Sequence, residues 1–522
     1  MGNVFFSGAG TGVISVLSGI PTSICTDLTE TRNGLNVTLK WDDPDDTIID
    51  GSVLATWGRT VIVRKKGGYP QHESDGDVLF TNTVRGAYSV IGFNDTVPDD
   101  EDKYYYRAFP ISVNGVVNLD PLNCFGVEMY SFIIDPAESN PTNAVTYLGT
   151  NASYTPAYMD FTGGSFNYGS WENAFFMDKF KPCMLGLDGE VDYYLDPDNY
   201  AKQADGTTDS DITDTTYEGN VMVEIGQIWI SDKVYNGKHF VRIANGKISD
   251  DFDCLTHTKK DGTLAQYIYR SAYDGCLIDS KIRSISGQAP CVNQTGTNQI
   301  SYAKANGTGW NIDEYSVRRL INYLLILMSK SLDTQGKFGT GRHNGGNNNT
   351  PPTSWNQLNA GTLDDKGLFY GDNNNGGVKV FGIENWWANV WKITNGLIAV
   401  KGKMKYKMCE GQWDGSTTDD YNTTGNGYID SGVTLTGTSG SCIKKMKLVP
   451  GVGLVPYDIS GSNTTYFPDG CWFSLSLNDG FARFGGRSAT GLPCGAFSCA
   501  VNSVVGNSDW SYGVALSYKS AS

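Results

Sequence analysis

Short runs rich in apolar and β-branched or aromatic residues, the first of them alternating apolar and polar residues, are each followed by turn-forming residues in the first quarter of the sequence. Runs of this kind predict β-strands joined by tight turns, because side chains alternate between the two faces of a strand. The predicted strands are Leu35–Trp41, Thr60–Pro70, Asp102–Ser112 and, after the turn at Asn114 and Gly115, a return strand Val116–Leu119. Their spacing predicts an all-β sandwich over residues 23–135.

The composition favours β-structure rich in loops throughout the chain. Glycine accounts for 63 of 522 residues, about 12%, against a usual share of about 7%. Charged residues make up 18% and aromatic residues 12%. This combination excludes a coiled coil, a helical repeat and a disordered tail.

Net charge and hydropathy restrict the partners. The formal charge is −16 at pH 7, so phosphate backbones and anionic membranes would repel the chain, and no nucleic acid partner is predicted. The apolar stretch Leu320–Met328 is too short to span a bilayer and is flanked by Arg318, Arg319 and Lys330, so no membrane insertion is predicted.

The first 22 residues form a separate segment. They are small, glycine-rich and uncharged, and such a stretch cannot build a core. Since it also lacks the Lys or Arg of a signal peptide, we expect a chain made in a cytoplasm. The segment is interpreted as an N-terminal arm, either a flexible tether or a part that becomes ordered when docked in an assembly.

Residues 136–522 change to an irregular α+β pattern with one clear helix. Apolar residues recur at spacings of three and four from Val317 to Leu332, which predicts a helix over Asp313–Leu332. Asn311 or Asp313 is the candidate N-cap, and Gly336 is the expected stop. Arg318 and Arg319 are predicted to form the solvent-exposed edge of this helix.

The search for catalytic and metal-binding motifs predicts no catalytic residue, no metal site and no cofactor. The four histidines lack metal-ligand spacing, and no phosphate-binding or dinucleotide-binding glycine loop occurs. Asp372–Asn375 and Thr417–Asn426 could bind a hard cation but are more typical of turns. The 11 cysteines are scattered, without a Cys-x-x-Cys pair, and are interpreted mainly as buried thiols. Cys494 and Cys499 could instead bind a soft metal or form a disulfide.

Two parts of the chain resemble known families. Residues 23–135, with Trp41 on one strand and Tyr104 and Tyr106 on a later one, resemble a fibronectin type III module. Such immunoglobulin-like modules are usually spacers or adhesive units. Residues 165–522 resemble phage and prophage tail-fibre or receptor-binding proteins, whose C-terminal part is a C-type-lectin-like domain of the formylglycine-generating-enzyme type. The resemblance rests on Phe180–Pro197, Ile321–Gln335, Gly367–Trp391 and the glycine- and aromatic-rich ending.

The resemblance to receptor-binding proteins implies a ligand-binding tip at about 471–522. Many relatives are variable proteins of diversity-generating retroelements, in which side chains on exposed turns contact the ligand and strand residues form the scaffold. The implied scaffold residues are Phe497, Cys499, Val501, Val514 and Leu516. The implied ligand-binding residues are Asp479, Phe481, Arg483, Arg487, Ser488, Thr490, Asn507, Ser508, Asp509, Trp510 and Tyr512. Tyr, Trp, Arg, Ser and Asn are also the residue types that antibody binding sites favour.

The resemblance further implies a homotrimer on the virion surface, in a tail or head fibre, made in the cytoplasm of a bacterial host. Its expected partners are a host-cell surface glycan or protein and, through the arm, other virion proteins. One alternative is a structural virion decoration protein without a selected ligand. Another is a copper-dependent oxidase of the same fold, since the spacing of Cys494 and Cys499 is similar to that of the cysteine pair in those enzymes.

Overall fold

The computed structural model describes residues 19–99, 103–345, 357–409, 411–413, 415, 418 and 420–520. These residues form two compact units, and both consist mainly of β-strands. The first unit runs to Glu128 and includes Gly246–Asp250, and the second comprises Met129–Asn245 and the residues from Asp251 onwards. The predicted arm lies outside the described residues up to residue 18. Its last residues are bound to the first unit, where Asn118 Nδ2 donates to the carbonyl of Thr22 over 2.7 Å.

The first unit contains eight strands. They are β1 (Thr26–Asn33), β2 (Asn36–Asp42), β3 (Thr47–Ile49), β4 (Ser52–Ala55), β5 (Trp57–Lys66), β6 (Asp77–Asn82), β7 (Phe93–Thr96) and β8 (Tyr104–Ser112). They form two three-stranded sheets, in the orders β1-β2-β7 and β6-β5-β8, and the hairpin β3-β4. Trp41, Ile62 and Tyr106 are fully buried in its core.

The predicted strands Leu35–Trp41, Thr60–Pro70 and Asp102–Ser112 are confirmed as β2, β5 and β8, although β5 already ends at Lys66. The predicted return strand is wrong, because it is reduced to a single bridge between Ile111 and Val117. The backbone N–H of Asn118 still donates to the carbonyl of Pro110 over 2.8 Å, while its side chain bonds to the carbonyl of Thr22. The strand Met129–Ile134, which the sequence assigned to the first domain, pairs within the second unit.

The second unit contains strands β9 to β36. The strands before its central helix are β9 (Met129–Ile134), β10 (Val145–Leu148), β11 (Tyr158–Asp160), β12 (Ser165–Asn167), β13 (Phe180–Gly186), β14 (Val191–Tyr194), β15 (Gly219–Gly226), β16 (Trp229–Tyr235), β17 (Lys238–Ala244), β18 (Tyr267–Ser271), β19 (Cys276–Ile278), β20 (Lys281–Arg283) and β21 (Trp310–Ile312). The later strands are β22 (Tyr370–Gly371), β23 (Val378–Val380), β24 (Ile383–Glu384), β25 (Trp391–Val400), β26 (Lys403–Tyr406), β27 (Ile429–Thr434), β28 (Thr436–Gly437), β29 (Cys442–Ile443), β30 (Lys445–Val449), β31 (Gly453–Ile459), β32 (Phe467–Phe473), β33 (Gly480–Phe484), β34 (Cys499–Val501), β35 (Tyr512–Gly513) and β36 (Leu516–Lys519).

The larger sheets of this unit bring distant parts of the chain together. One sheet has the order β14-β13-β15-β18-β36-β21, and another has the order β10-β9-β17-β16. The largest follows the path β27-β26-β25-β33-β34-β32-β29, with β35 added alongside β25. This last sheet carries most of the C-terminal segment that the sequence analysis assigned to the tip.

Three α-helices belong to the second unit: α1 (Gly296–Lys304), α2 (Tyr315–Ser329) and α3 (Thr334–Phe338). Helix α2 is the predicted helix, and every one of its residues is buried. It is shorter than predicted, since Glu314 occupies the N-cap without a side-chain bond and Lys330 ends the helix with φ +50°. No helix of the described residues is long and apolar enough to cross a membrane.

The predicted exposure of Arg318 and Arg319 on helix α2 is wrong. The side chain of Arg318 is inaccessible to solvent and that of Arg319 is 3% exposed. Arg319 bonds to Asp232 over 2.9 Å and to Asp253 over 2.6 Å. The arginines therefore neutralise buried carboxylates inside the core, where an unpaired charge would be costly.

Candidate functional site

The candidate site is built on one face of the sheet around β25. Trp472 on β32 is opposite Ala500 on β34, and Ala500 is opposite Arg483 on β33. Trp391, at the start of β25, pairs with Tyr512 on the added strand β35. Because side chains alternate along a strand, this register places a row of large side chains on the same face.

The opposite face of the same strands packs into the core. Cys471 pairs with Cys499, and Phe473 pairs with Val501, in the parallel register of β32 and β34. All four are buried, as are the other implied scaffold residues Phe497, Val514 and Leu516. The candidate site therefore has a densely packed support beneath it.

A cleft of about 320 Å³ lies on the outer face. This volume falls within the range of about 300–1,000 Å³ typical of small-ligand sites. Its lining is predominantly polar, with two tryptophan rings. The lining residues are Trp391, Trp472, Arg483, Arg487, Ala489, Thr490, Ala500, Asn502, Asp509 and Tyr512.

The two tryptophans of the lining contact each other at a steep angle. The ring centroids of Trp391 and Trp472 are 5.3 Å apart, and their planes are inclined by 78°. Edge-to-face contacts of this kind fix the orientation of aromatic rings. The two rings together form one wall of the cleft.

Arg483 lies at the base of the cleft and is 4% exposed. Its guanidinium stacks on the ring of Tyr512 at 4.0 Å, and one terminal nitrogen donates to Asn502 Oδ1 over 2.7 Å. Its Nε–H finds no acceptor within the described part of the chain. Burial lowers the pKa of Arg483, but an arginine remains protonated at neutral pH.

Arg487 is placed by a tight turn that follows β33. The chain leaves the strand through Gly485 and Gly486, which have φ values of +91° and +84°. A Cβ atom on Gly486 would lie 2.5 Å from Cys494 Sγ, so this position requires glycine. The turn is closed where Arg487 N donates to Thr490 Oγ1 over 2.9 Å.

Arg487 also links this turn to the loop that precedes β35. Its Nη1 lies 3.8 Å from Asp509 Oδ1 and 3.3 Å from Ser511 Oγ, and its guanidinium lies 5.0 Å from the ring of Trp510. Asp509 in turn accepts bonds from the backbone N–H and the hydroxyl of Ser511, over 2.9 and 2.6 Å. Both loops of the cleft are therefore held by internal bonds.

The structure brings five of the eleven predicted ligand-binding residues together in the cleft: Arg483, Arg487, Thr490, Asp509 and Tyr512. Asp479, Asn507, Ser508 and Trp510 lie outside its lining, and Asn507 and Ser508 are exposed. Phe481, Arg483 and Ser488 are only 3%, 4% and 1% exposed, so none of the three lies on an exposed turn as predicted. Phe481 packs on Trp413, and the backbone of Ser488 bonds to Asn389 and Gly345.

Sequence reasoning missed half of the cleft. Trp391, Trp472, Ala489, Ala500 and Asn502 line it, but none was among the predicted residues. Trp391 and Trp472 stand in apolar runs that are equally typical of core strands. The alternation Cys471–Trp472–Phe473 was the available signal, since it places the tryptophan on the face opposite its two buried neighbours.

The two cysteines of the oxidase alternative have separate neighbours. Cys499 Sγ lies 3.3 Å from Cys471 Sγ, while Cys494 Sγ donates to the carbonyl of Gly485 over 3.0 Å. Burial raises the pKa of Cys494 well above its usual range. Within the described residues, no group of three or more His, Cys, Asp or Glu side chains is arranged to hold a metal ion.

Comparisons with known proteins identify no family for this chain. No protein-family model matches the chain, and no curated protein matches it. Among solved structures, the chain is similar to one described as Major Tropism Determinant U1 Variant, with 10% identity, coverage of 94% of this chain and 83% of that chain, and a TM-score of 0.19. Similarity at this level defines neither a family nor a fold for this chain.

Proposed function

We propose that this chain is a phage receptor-binding or fibre protein that attaches to a host-cell surface ligand through the cleft formed by β25 and β32–β35. The observation that carries the proposal is the cleft itself. Concave sites with aromatic walls and a few fixed polar groups are where ligands usually bind. Arg487, Thr490 and Asp509 come from loops on a packed sheet, the arrangement that supports binding in many folds.

The sequence resemblance supplies the biological setting of the proposal. It assigns the C-terminal domain to the C-type-lectin-like type and the first unit to the fibronectin type III type, as a spacer. The strand orders β1-β2-β7 and β6-β5-β8 in the first unit are compatible with such a sandwich. The arm at residues 1–22 would join the protein to other virion proteins, and the assembly would be a homotrimer.

Two alternatives predict different behaviour. A structural virion decoration protein would have the same modules but would not bind cells. An oxidase would need Cys494 and Cys499 to act together, and their different hydrogen-bond partners favour the non-enzymatic assignment. The proposal therefore retains no catalytic residue and no cofactor.

The test is adsorption of the fluorescently labelled full chain to a panel of bacterial strains, measured by flow cytometry. Arg487→Gln removes a partly exposed cation from the cleft and should reduce adsorption at least tenfold without changing the melting temperature. The control is Leu475→Ser, an exposed residue beyond the end of β32 that does not line the cleft. If both variants adsorb as well as the wild type, the ligand site lies elsewhere. If the wild-type chain binds no strain, the alternative of a decoration protein is favoured.

A further inference from the structure

The charge of the cleft is opposite to that of the chain. Among the described residues, its lining contains the cations Arg483 and Arg487 and the carboxylate Asp509. The whole chain carries a formal charge of −16. A locally positive site on an acidic protein attracts small anions, while the surrounding field repels bulky polyanions.

The cations are arranged to receive a carboxylate. Arg483 is fixed between the ring of Tyr512 and the amide of Asn502, and its buried Nε–H has no acceptor within the described residues. Arg487 lies 3.8 Å from Asp509, beyond the distance of a direct hydrogen bond. Guanidinium groups bind carboxylates through two parallel N–H donors. A carboxylate in the cleft would meet the guanidinium of Arg487, whose side chain is 36% exposed, with the nearly buried Arg483 adding positive charge beneath it.

The rest of the lining fits a sugar ring better than a peptide. Trp472 is partly exposed and packs edge-to-face against the nearly buried Trp391, so the C–H groups of a pyranose can pack on the ring of Trp472. Thr490, Asn502 and Asp509 provide hydroxyl, amide and carboxylate groups, which can bond to sugar hydroxyls. A volume of about 320 Å³ suits a single small ligand rather than an extended chain.

We propose that the cleft binds an acidic monosaccharide unit, such as a uronic or sialic acid at the end of a surface glycan, with its carboxylate directed to Arg483 and Arg487. The inference deepens the proposed attachment function and rests on it for its biological meaning. Trp472 contacts the ring, with Trp391 supporting it from below, and Asn502 and Asp509 select its hydroxyl groups.

The experiment is isothermal titration calorimetry of the full chain with glucuronic acid, N-acetylneuraminic acid and glucose. We expect at least one acid to bind at least tenfold more tightly than glucose, and saturation-transfer NMR to show contact with its ring protons. Arg487→Gln should weaken that binding at least tenfold. The matched control is Arg59→Gln, the same change at an exposed arginine of the first unit.

Three results would overturn the assignment: equal binding of the acids and glucose, no binding of either acid, or an equal loss in the Arg59→Gln control. A tetraglutamate peptide that binds where the acidic sugars do not would assign the cleft to an acidic peptide instead. Loss of cell adsorption in Arg487→Gln without binding of either acid would leave the attachment function standing and refute the sugar. Binding of an acid to the wild type, together with unchanged cell adsorption of Arg487→Gln, would support the sugar site and refute its role in attachment.

Discussion

The carboxylate of Asp313 lies between two guanidinium groups inside the second unit, and its removal offers a sharp test of the core. Its Oδ2 is 3.0 Å from Arg318 Nη2 and 3.8 Å from Arg270 Nη2, and all three side chains are inaccessible to solvent. The ring of Trp386 lies 4.4 Å from the Arg318 guanidinium and 5.2 Å from that of Arg270. Asp313→Ala removes the carboxylate and leaves both cations buried.

Removing one partner of a buried ion pair costs about 3–5 kcal/mol of unfolding free energy, because the remaining charge stays desolvated. Since the buried carboxylate of Asp274 also acts on both guanidinium groups, we expect Asp313→Ala to lose about 3–4 kcal/mol. The matched control is Asp209→Ala, which breaks the pair with Lys202. That pair is shorter, at 2.6 Å, but Asp209 is 89% exposed. Its loss should cost about 0–1 kcal/mol, so burial rather than distance decides the magnitude.

The assay is urea unfolding of the full chain, followed by tryptophan fluorescence. Of the 12 tryptophans, Trp41 and Trp57 belong to the first unit, so the signal reports mainly on the rest of the chain. If Asp313→Ala does not fold, the milder Asp313→Asn should fold and lose less. A loss below about 1 kcal/mol for Asp313→Ala, equal to that of the control, would refute a charged cluster in the core.

Four further predictions concern the core, its pH response, the cysteines and the assembly. Leu324→Ala in helix α2 should lower the free energy of unfolding by about 2–5 kcal/mol, because it opens a cavity in the core. At temperatures where the variant remains folded it should still adsorb to cells, which parallel melting and adsorption measurements would show. Burial lowers the pKa of His257 from 6.5 to about 4, so the folded chain binds fewer protons between these values and stability rises with pH across them. Urea titrations from pH 4 to 7 should therefore show the wild type gaining up to about 3 kcal/mol relative to His257→Gln, and a constant difference would contradict the assignment. Cys494→Ser should adsorb to cells as the wild type does, whereas a stoichiometric copper complex lost in this variant would support the oxidase. Light scattering should give the mass of a trimer, and a monomer at micromolar concentration, with and without residues 1–22, would refute that assembly.

The sequence pattern alone predicted those strands and helices whose apolar residues repeat at the period of the element itself. Leu35–Trp41 alternates because one face of β2 is buried, and the resulting period of two is visible without knowledge of the partner strands. The apolar residues of helix α2 likewise repeat at helical spacing. The helix ends were less accurate, because Lys330 adopts a left-handed conformation that the sequence does not favour.

Contacts between distant residues account for the errors. The sequence around Arg319 is typical of an exposed helix edge. Its partners Asp232 and Asp253 lie 87 and 66 positions earlier in the chain, so the local sequence does not show that it is buried. Phe481 stands next to a polar turn, yet Trp413 packs against it. In the cleft, Arg487 and Asp509 were among the residues that the resemblance implied, whereas Trp472 was missed because an aromatic residue in a strand has the same pattern whether it faces the core or solvent.

Strand β36 has a consequence for how the chain folds during synthesis. It is inserted between β18 and β21, and the backbone N–H of Leu516 bonds to Ser271 Oγ, 245 positions earlier. At about 5–20 residues per second, a ribosome needs on the order of 10–50 s to make the intervening chain. During that interval the facing edges of β18 and β21 remain unpaired and open to association with other chains. We therefore expect the second unit to complete its fold only after residues 516–519 emerge, which makes its yield sensitive to chaperones and to growth temperature.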